Sequence, residues 1–460
     1  MDKVSLLKVR RAELFEKSAE TRKLLSAIVD ENSFVELDSY SFSKNEFYGE
    51  DVTGEGVVTG YATINDYPVY VACINSKILN GGLTYAGCAK MEKCLDKALA
   101  AGAPVMYLLS SKGVVAGEGV SALEGVAKLL AKMDDLRDYV PQFAVCNGEV
   151  LGQASLFAAM SDYVYYAKDA CVAYASPLVL SAKSGKSVSA DDYNFASAKN
   201  NGLASFKIDD VADVRESFSA IMGTLPAFGG QYVDTTDDEN RSAPDLNQSA
   251  CADSVVEATF DQNSFIELNG QFAPEVKTVI GRVGGYSVGA IVFDGGKDGV
   301  SLDQNNIYKI KNFAYYCESN QLPMLTFVNT VGIKCDMATA ATPVLKNVAD
   351  LVCALKTDLP KINVIYGKAL GLGYTLFASK NFGADYSYAF ANAKISLFDS
   401  NVGAEMEVVA KGGDYSDIKQ RYEDENMDAM NAAKSGYVDN VIEPEFVRQY
   451  VISALQMLVG

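Results

Sequence analysis

The sequence predicts an α/β protein built from two related halves, and three observations support this prediction. Blocks of the first half recur in the second at a constant separation of 219 residues, as between Thr59 and Thr278. Short runs rich in valine, isoleucine and tyrosine alternate with segments whose apolar residues recur every three or four positions, a pattern typical of alternating strands and helices. A chain of 460 residues is also long enough for two large cores.

The repeat keeps one register through both halves. The pairs that coincide are Thr59/Thr278, Tyr67/Tyr286, Val69/Val288, Pro104/Pro323, Gly113/Gly332, Pro141/Pro360, Gly148/Gly367 and Gly152/Gly371. A register shared over this length indicates an internal duplication. The duplication implies either two copies of a site or one site built from two related faces.

Each half opens on a related phrase, DENSFVEL at 30–37 and DQNSFIEL at 261–268, and strand-like segments follow. Their nearly continuous apolar character is typical of strands buried on both faces. The predicted strands are GVVTGYATI, YPVYVACI and VMYLL in the first half and KTVIGRV, SVGAIVF and MLTFV in the second. Amphipathic helices are predicted at 86–102 and 305–320.

Each half is also predicted to close in the same way. Gly202 and Gly436 mark a turn that is followed by a strand and an amphipathic helix. The segment between the halves is polar, acidic and rich in turn-forming residues, which predicts a linker. The predicted organisation is a first domain over 1–226, a linker over 227–250 and a second domain over 251–460.

Charge and composition argue against several functions. Forty basic residues against 59 acidic ones give a net charge of −19, which argues against nucleic acid or an anionic membrane as a major partner. No apolar run approaches the roughly 18–20 residues of a membrane-spanning helix, and the charged start is unlike a signal peptide. The nine cysteines are scattered without CxxC spacing, as expected of core residues in the reducing cytoplasm.

The absence of histidine is the sharpest constraint on the chemistry. A chain without histidine has no Ser-His-Asp or Cys-His catalytic group and no imidazole ligand for a metal. We therefore expect no metal site. Catalysis must depend on main-chain dipoles, carboxylates, lysines or a bound cofactor.

Two kinds of glycine-containing loop recur in both halves and are the candidate sites. One follows the strand after the repeated proline, and the other is predicted as a strand-to-helix turn. The loops are 110–114 and 148–153 in the first half and 329–333 and 367–372 in the second. Glycine lets the backbone approach a ligand closely, and N–H groups at a helix start have no helical acceptor. One amide from each loop would form an oxyanion hole, in which a donor contributes about 2.7–4 kcal/mol.

Tight turns between strands and helices are the plainer explanation of any one of these loops. Their recurrence as a pair in both halves favours a site instead. A site built from the backbone also explains how a chain without histidine would catalyse a reaction.

Several segments carry a resemblance to a known family: NSFVEL, GVVTGYATINDYPVYV, KILNGGL, EGVSAL, LPMLTFVNTVG, GYTLFASKNFGAD and AAKSGYVDNVIEP. In their order and spacing, the chain resembles the biotin-dependent carboxyltransferases. These include acyl-CoA carboxylase beta subunits and biotin-dependent acyl-CoA decarboxylase alpha subunits. The resemblance implies two tandem crotonase-like (ClpP/crotonase) ββα-spiral domains related by duplication.

The reaction implied by the resemblance moves a carboxyl group between the α-carbon of a short acyl-CoA and N1 of biotin. The acyl-CoA is of the malonyl-, methylmalonyl- or propionyl-CoA type. The first half would hold the thioester oxygen and the second half the ureido oxygen of biotin. Carried over by position, the residues of the two holes are Gly113, Val114, Gly152 and Gln153 and then Gly332, Ile333, Gly371 and Leu372. Beside them, Lys112 is a candidate contact for a CoA phosphate, with an exposed loop lysine as the plainer explanation, and Gly373 and Tyr374 are further candidates for ligand contact.

The resemblance also implies partners. Biotin would arrive on a separate carrier protein, because the chain has no Ala-Met-Lys-Met attachment sequence. Subunits would form a dimer or a trimer of dimers, with the active site between the first half of one and the second half of another. A biotin carboxylase subunit, or the membrane subunit of a sodium-pumping decarboxylase, would complete the complex. The sequence identifies neither the acyl group nor the direction of the reaction.

The loops depart from the family pattern. The family's Ser-Gly-Gly-Ala-Arg is Ser-Lys-Gly-Val-Val at 111–115, and the residue after the second loop's glycine is Gln153 or Leu372 rather than glycine. Val331 stands where the family has proline. These departures keep open a non-catalytic paralogue that acts as a scaffold. A biotin-independent crotonase-type enzyme is the other alternative, although such an enzyme needs only one of the two halves.

Overall fold

The computed structural model describes residues 2–41, 56–198, 201–340 and 343–460. The chain divides into two units, Met1–Ser219 and Ala220–Gly460, and each is organised around one β-sheet. Lys199 and Asn200, which belong to the segment predicted to close the first half, lie outside the described residues.

The first unit alternates strands with helices. Its strands are β1 (Val35–Leu37), β2 (Val57–Ile64), β3 (Tyr67–Ile74), β4 (Val105–Ser111), β5 (Gln142–Leu151), β6 (Tyr163–Ala167), β7 (Cys171–Ala173) and β8 (Phe206–Ile208). Its helices are α1 (Lys3–Lys17), α2 (Ala19–Ile28), α3 (Tyr85–Ala101), α4 (Val120–Leu136), α5 (Ala154–Met160), α6 (Pro177–Ser184), α7 (Phe195–Ala198) and α8 (Val214–Thr224), which crosses the division. Thr84 caps α3 by accepting the Gly87 N–H at 2.9 Å, and Gly102 ends it with a φ of 63°.

The sheet of the first unit has an antiparallel and a parallel side. Its order is β1-β2-β3-β4-β5-β6-β8, and β7 pairs with the end of β5. The β1, β2 and β3 strands are antiparallel, whereas the pairings from β3 to β8 are parallel. The carboxyl ends of β4 and β5 therefore lie side by side, and so do the loops that follow them.

The second unit repeats this plan. Its strands are β9 (Ile266–Leu268), β10 (Val276–Val283), β11 (Tyr286–Phe293), β12 (Val300–Leu302), β13 (Met324–Ile333), β14 (Lys361–Leu370), β15 (Tyr386–Phe390), β16 (Lys394–Ser396) and β17 (Asn440–Ile442). Its helices are α9 (Pro226–Gly229), α10 (Ala252–Thr259), α11 (Gln304–Ser319), α12 (Met337–Ala340), α13 (Val344–Leu355), α14 (Leu372–Phe377), α15 (Ser400–Lys411), α16 (Tyr415–Asn426), α17 (Ala429–Lys434) and α18 (Val447–Val459). The sheet order is β17-β15-β14-β13-β11-β10-β9, with β12 on β13 and β16 on β14.

The elements predicted from the sequence are present. The six predicted strands are confirmed as β2, β3, β4, β10, β11 and β13, and the two predicted helices as α3 and α11. The closing turns are confirmed as well, since Gly202 and Gly436 have φ values of 75° and 72° and each precedes a strand and a helix.

The β2–β3 and β10–β11 hairpins share one turn conformation but no turn residue. Asn65 and Asp66 have φ values of 48° and 70°, and Gly284 and Gly285 have values of 56° and 81°. Two central residues with positive φ are typical of the type I′ turn, whose twist matches that of the flanking strands. The duplication has therefore preserved a backbone shape through a complete change of side chains.

The strand-to-helix turn begins later than the sequence predicts. Gly148 and Gly367 lie inside β5 and β14 rather than in the turn. The pairings of β4 with β5 and of β13 with β14 shift register at a bulge, and the second strand of each pair continues beyond it. The turn itself is made at Gly152 and Gly371, with φ values of 61° and 50°.

Aromatic side chains join the first sheet to the helix packed on it. The ring centroid of Phe143 in β5 lies 4.6 Å from that of Tyr163 in β6 and 4.8 Å from that of Phe218 in α8. All three side chains are buried, and burial of a side chain such as phenylalanine contributes roughly 1.5–3 kcal/mol. The β5 strand is therefore firmly held where it approaches its bulge.

Within the described ranges, no helix has the length and apolar character needed to cross a membrane. All nine cysteines lie in those ranges and are free thiols, and six of them are buried. Burial raises the pKa of the Cys146 thiol to about 12, so this cysteine is a core residue rather than a nucleophile.

Candidate active site

The loops identified in the sequence lie at the carboxyl ends of adjoining parallel strands in each unit. A methyl group placed on Gly152 would lie 3.7 Å from the Cα of Gly113. In the second unit, a methyl group on Gly332 would lie 3.4 Å from the nitrogen of Gly373 and 3.7 Å from that of Leu372. The structure thus brings the two predicted loops together within each unit.

In the first unit, the two glycine N–H groups are already used within the fold. The Gly113 N–H donates to Ser111 Oγ at 3.1 Å, and the Gly152 N–H donates to a β7 carbonyl at 2.9 Å. The N–H groups of the next residues, Val114 and Gln153, have no hydrogen-bond partner among the described residues. Of the four residues predicted for this hole, Val114 and Gln153 therefore supply the available donors.

In the second unit, the two glycine N–H groups are used in the same way. The Gly332 N–H donates to Thr330 Oγ1 at 3.0 Å, and the Gly371 N–H donates to a β16 carbonyl at 3.1 Å. The β12 strand accepts its hydrogen bond from the residue after Ile333, so the Ile333 N–H points to the other side of β13, towards β14. Leu372 is the first residue of α14, where an N–H has no helical acceptor.

In each unit, a hydroxyl group at the same register fixes the first of the two loops, 110–114 or 329–333. Ser111 Oγ donates to the Gly81 carbonyl at 2.6 Å, and Thr330 Oγ1 donates to the Val300 carbonyl at 2.6 Å. Each hydroxyl oxygen also accepts the N–H of the glycine two residues later. Sequence reasoning missed both residues, although a hydroxyl at one register of both halves was the signal that would have found them.

The segment KILNGGL packs against loop 110–114 of the first unit. Leu79 and Asn80 both have left-handed backbones, with φ values of 51° and 54°, and such conformations cost on the order of 1–3 kcal/mol each. Asn80 accepts the Lys112 N–H at 3.2 Å. A methyl group on Gly81 would lie 2.2 Å from the Ser110 carbonyl oxygen, so only glycine fits at this contact.

The side chain of Lys112 is engaged within the protein. Its Nζ lies 3.0 Å from Glu149 Oε2, and the two side chains are 59% and 36% exposed. In the second unit, Val331 occupies the register of Lys112, and Lys368 occupies that of Glu149 and donates to the Asp298 carbonyl at 3.0 Å. At these two registers the first unit therefore carries an ion pair, whereas the second carries an ammonium group without a carboxylate.

Gln153 and Leu372 differ in where their side chains lie. Gln153 Oε1 would be 3.9 Å from a methyl group placed on Gly113, so the carboxamide extends over the first loop. The Leu372 side chain is 48% exposed. Neither side chain replaces the main-chain N–H of its residue.

Gly373 and Tyr374 adjoin the second amide pair. A methyl group on Gly373 would lie 2.6 Å from Thr330 Cγ2, so close packing between the two loops requires glycine there. Tyr374 is half-buried beside Tyr437, and burial, together with that neighbour, raises the pKa of its hydroxyl.

Acidic side chains form no candidate metal centre in the parts of the chain that the structure describes, where no three His, Cys, Asp or Glu side chains are arranged to hold an ion. In the acidic segment 227–250, Asp237 accepts from Arg241 and from the Gln262 N–H, each at 3.1 Å. Its carboxylate therefore has a structural role.

The fold places a pair of peptide N–H groups at the same position in each unit, an arrangement suited to holding a negatively charged oxygen. Residues 19–460 match the family model described as the carboxyl transferase domain. The chain therefore belongs to the carboxyl transferase domain family, and the predicted family and enzyme class are confirmed.

Individual relatives agree with this assignment. The chain is 30% identical over 455 residues to the methylmalonyl-CoA decarboxylase subunit alpha of Veillonella parvula, with 95% of this chain and 89% of the relative covered. It is 27% identical over 462 residues to the carboxyltransferase subunit of propionyl-CoA carboxylase from Haloferax mediterranei, with coverage of 95% and 90%.

Solved structures confirm the predicted fold class. The transcarboxylase 12S structure, a hexamer assembly with methylmalonyl-coenzyme A and methylmalonic acid bound, superposes with a TM-score of 0.90 at 24% identity. The superposition covers 99% of this chain and 95% of that one. The duplicated crotonase-like architecture is therefore shared over nearly the whole chain.

Proposed function

We propose that this chain is the carboxyltransferase subunit of a biotin-dependent complex that moves a carboxyl group between a short acyl-CoA and biotin. The observation that carries the proposal is the two pairs of amides, Val114 with Gln153 and Ile333 with Leu372, at the same place in two duplicated units. Relatives named for methylmalonyl-CoA and propionyl-CoA support a substrate of the malonyl-, methylmalonyl- or propionyl-CoA type.

The first amide pair is suited to a thioester enolate. When the carboxyl group leaves the α-carbon of the acyl-CoA, the electrons of the broken carbon–carbon bond pass to the thioester oxygen. The N–H groups of Val114 and Gln153 donate to this oxygen, and each preorganised donor contributes about 2.7–4 kcal/mol to transition-state stabilisation. No imidazole is needed for this stabilisation, in keeping with a chain that has no histidine.

The second amide pair fits the ureido group of biotin. A ureido oxygen accepts two hydrogen bonds, and Ile333 and Leu372 offer two N–H donors from adjoining loops. When bound, biotin supplies the ring nitrogen that accepts or releases the carboxyl group. The two residues hold the ureido oxygen and stabilise the negative charge that develops on it.

Carboxyl transfer from methylmalonyl-CoA or malonyl-CoA to free biotin, followed in a single turnover, tests the proposal. We expect propionyl-CoA or acetyl-CoA to form only when biotin is present, and calorimetry to detect binding of the CoA ester in its absence. Product formation without biotin would instead identify a biotin-independent crotonase-type enzyme.

A scaffold without catalytic activity is the second candidate, and specific contacts favour it. The Lys112–Glu149 ion pair spans the mouth of the first amide pair, and Gln153 extends over its loop. If millimolar CoA ester neither bound nor reacted, the carboxyltransferase proposal would be wrong and the scaffold would be supported.

Assembly into a dimer or a trimer of dimers forms part of the proposal, with the first unit of one subunit facing the second unit of another. Each unit exposes apolar side chains in the segment and helix that follow β7 or β16, the strand that pairs beside its amide pair. Tyr174 and Leu178 are 75% and 80% exposed in the first unit, and Leu397 and Val409 are 67% and 88% exposed in the second. We expect Leu178→Glu to dissociate the oligomer in sedimentation experiments, and an unchanged assembly would contradict this arrangement.

We further propose that biotin is delivered on a separate carrier protein in the cytoplasm. A biotin carboxylase subunit or a membrane sodium-pump subunit would act with it, depending on the direction of the reaction. The free thiols of all nine cysteines support a reducing compartment. Transfer to a purified biotinylated carrier domain, compared with free biotin, tests the delivery: a carrier that lowers KM supports it, and a carrier that is no better than free biotin contradicts it.

A further inference from the structure

We propose that Asn329 is a positioning residue that sets the geometry of the second amide pair and acts on the biotin side of the reaction alone. This inference rests on the proposed function, because it assigns the second pair to biotin. Asn329 precedes Thr330 in β13 and is only 2% exposed, so its contacts lie within the fold.

The Asn329 carboxamide joins three segments of backbone. Its Oδ1 accepts the Lys368 N–H of β14 at 3.0 Å, and its Nδ2 donates to the Gly296 carbonyl at 2.7 Å. A methyl group on Gly367 would lie 2.3 Å from Oδ1. The glycine at this point of β14 is therefore required by the close approach of Asn329.

These contacts lie at the point where the pairing of β13 with β14 is interrupted. Val328 pairs with Ile365, but Thr330 pairs with Ala369, so β14 bulges opposite Asn329. A buried backbone N–H within such a bulge needs an acceptor in place of the lost ladder bond. The Asn329 carboxamide supplies that acceptor for Lys368, four residues before Leu372.

The first unit has the same bulge but a different side chain facing it. Ser110 occupies the register of Asn329, and its Oγ would lie 3.3 Å from a methyl group on Gly148. The residue at the register of Lys368 is Glu149, whose carboxylate pairs with Lys112. The carboxamide bridge is therefore specific to the second unit, and its loss is expected to leave the first amide pair intact.

Asn329→Leu tests this role, because leucine keeps much of the volume and removes both hydrogen bonds. We expect kcat/KM for free biotin to fall about 100-fold, the effect of a misplaced catalytic group. The Kd of malonyl-CoA should change by less than about 2-fold, since the first pair is untouched. Asn363→Leu is the matched control, because Asn363 is also a buried asparagine and lies in β14 before the bulge, and it should retain the wild-type kcat/KM for biotin.

Asn329→Asp separates the two bonds. A carboxylate keeps the acceptor for the Lys368 N–H and loses the donor to Gly296, so kcat/KM for biotin should stay within about 5-fold of the wild-type value if the Lys368 bond sets the geometry. This variant also carries the test if Asn329→Leu does not fold, and a fall of about 100-fold in Asn329→Asp would then overturn the inference.

Two further outcomes would overturn it. One is an Asn329→Leu protein that loses CoA-ester binding and biotin reactivity to the same extent, and the other is one that loses neither. A wild-type protein without activity or CoA binding would instead refute the proposed function itself, and that result is obtained before any variant is made.

Discussion

At the scale of single residues, the glycine N–H groups of both loop pairs are bound within the fold, which leaves the residue after each glycine as the candidate donor. The sequence predicted both members of each pair, because a glycine and its neighbour are equally plausible donors in a tight turn. The choice depends on acceptors far away in the chain, such as the β7 and β16 carbonyls that take the N–H groups of Gly152 and Gly371. Such long-range partners leave no local signal in a single sequence.

Leu372→Pro is the sharpest test of these donors. Leu372 is the first residue of α14, where proline is well tolerated but has no N–H. We expect kcat for carboxyl transfer to fall about 100–1000-fold while the fold persists, as checked by single-turnover assays and circular dichroism. Leu372→Ala keeps the N–H and should lose far less activity, so equal losses in the two variants would rule out the amide as the active group.

Glu149→Gln tests whether the ion pair at the first mouth competes with the substrate. Removing the carboxylate frees the Lys112 ammonium for an anionic ligand such as a CoA phosphate, which should tighten binding of the CoA ester a few-fold at low salt. The effect is small because a largely exposed ion pair is worth only about 0–1 kcal/mol. Calorimetric titrations at two salt concentrations check it, and Lys112→Ala should show no such gain.

At the scale of secondary structure elements, the duplication places a buried lysine at one register of α3 and α11. Lys90 Nζ donates to the Val57 carbonyl at 2.8 Å, and Lys309 Nζ donates to the Phe272 carbonyl at 2.7 Å. Lys90 thereby ties α3 to the first residue of β2, and Lys309 ties α11 to the loop before β10. Burial lowers the pKa of Lys309 to about 8, although the Glu267 carboxylate opposes this shift.

The lowered pKa predicts how stability depends on pH. Between about pH 8 and 10.4, the unfolded chain binds a proton at Lys309 that the folded chain has lost. The free energy of unfolding should therefore rise through this window by an amount on the order of 1–3 kcal/mol. Denaturant titrations at pH 7, 8, 9 and 10 measure it as the difference between wild type and Lys309→Met. Exposed Lys297 provides the control, since Lys297→Met should follow the wild-type curve.

Strands and helices were largely predictable, because their apolar periodicity is local. The bulges in β5 and β14 were not, because they arise from pairing with strands more than thirty residues away along the chain. Gly148 and Gly367 therefore looked like the start of a turn. The bulges matter for the site, since β5 and β14 continue beyond them to the residue before the turn at Gly152 or Gly371.

At the scale of the whole molecule, a buried arginine organises the second unit. Arg448 of α18 is fully buried and donates to the Thr259 carbonyl and to Asp261 Oδ1, each at 2.7 Å. The same Asp261 carboxylate accepts the N–H groups of Gly284 and Gly285 in the β10–β11 turn, each at 2.8 Å. The last helix, the end of α10 and a central hairpin are thus held by one ion pair.

Arg448→Met should destabilise the second unit by about 3–5 kcal/mol, because it leaves a buried carboxylate without its cation. Chemical denaturation measures the loss, and hydrogen exchange should show it in α18 and the β10–β11 hairpin rather than in α3. The exposed Arg421–Glu407 pair supplies the comparison. Arg421→Met should cost no more than about 1 kcal/mol, and similar losses in both variants would contradict the role of Arg448.

The KILNGGL segment, with left-handed backbones at Leu79 and Asn80 and with Gly81 packed against Ser110, has a consequence for how carboxyltransferases diverge in sequence. Every residue except proline has a main-chain N–H group. Val114, Gln153, Ile333 and Leu372 therefore present one as well as glycine or alanine would. The identities of the residues in these loops therefore say little about whether the two amide pairs are retained, whereas the backbone torsions of the loops test it directly.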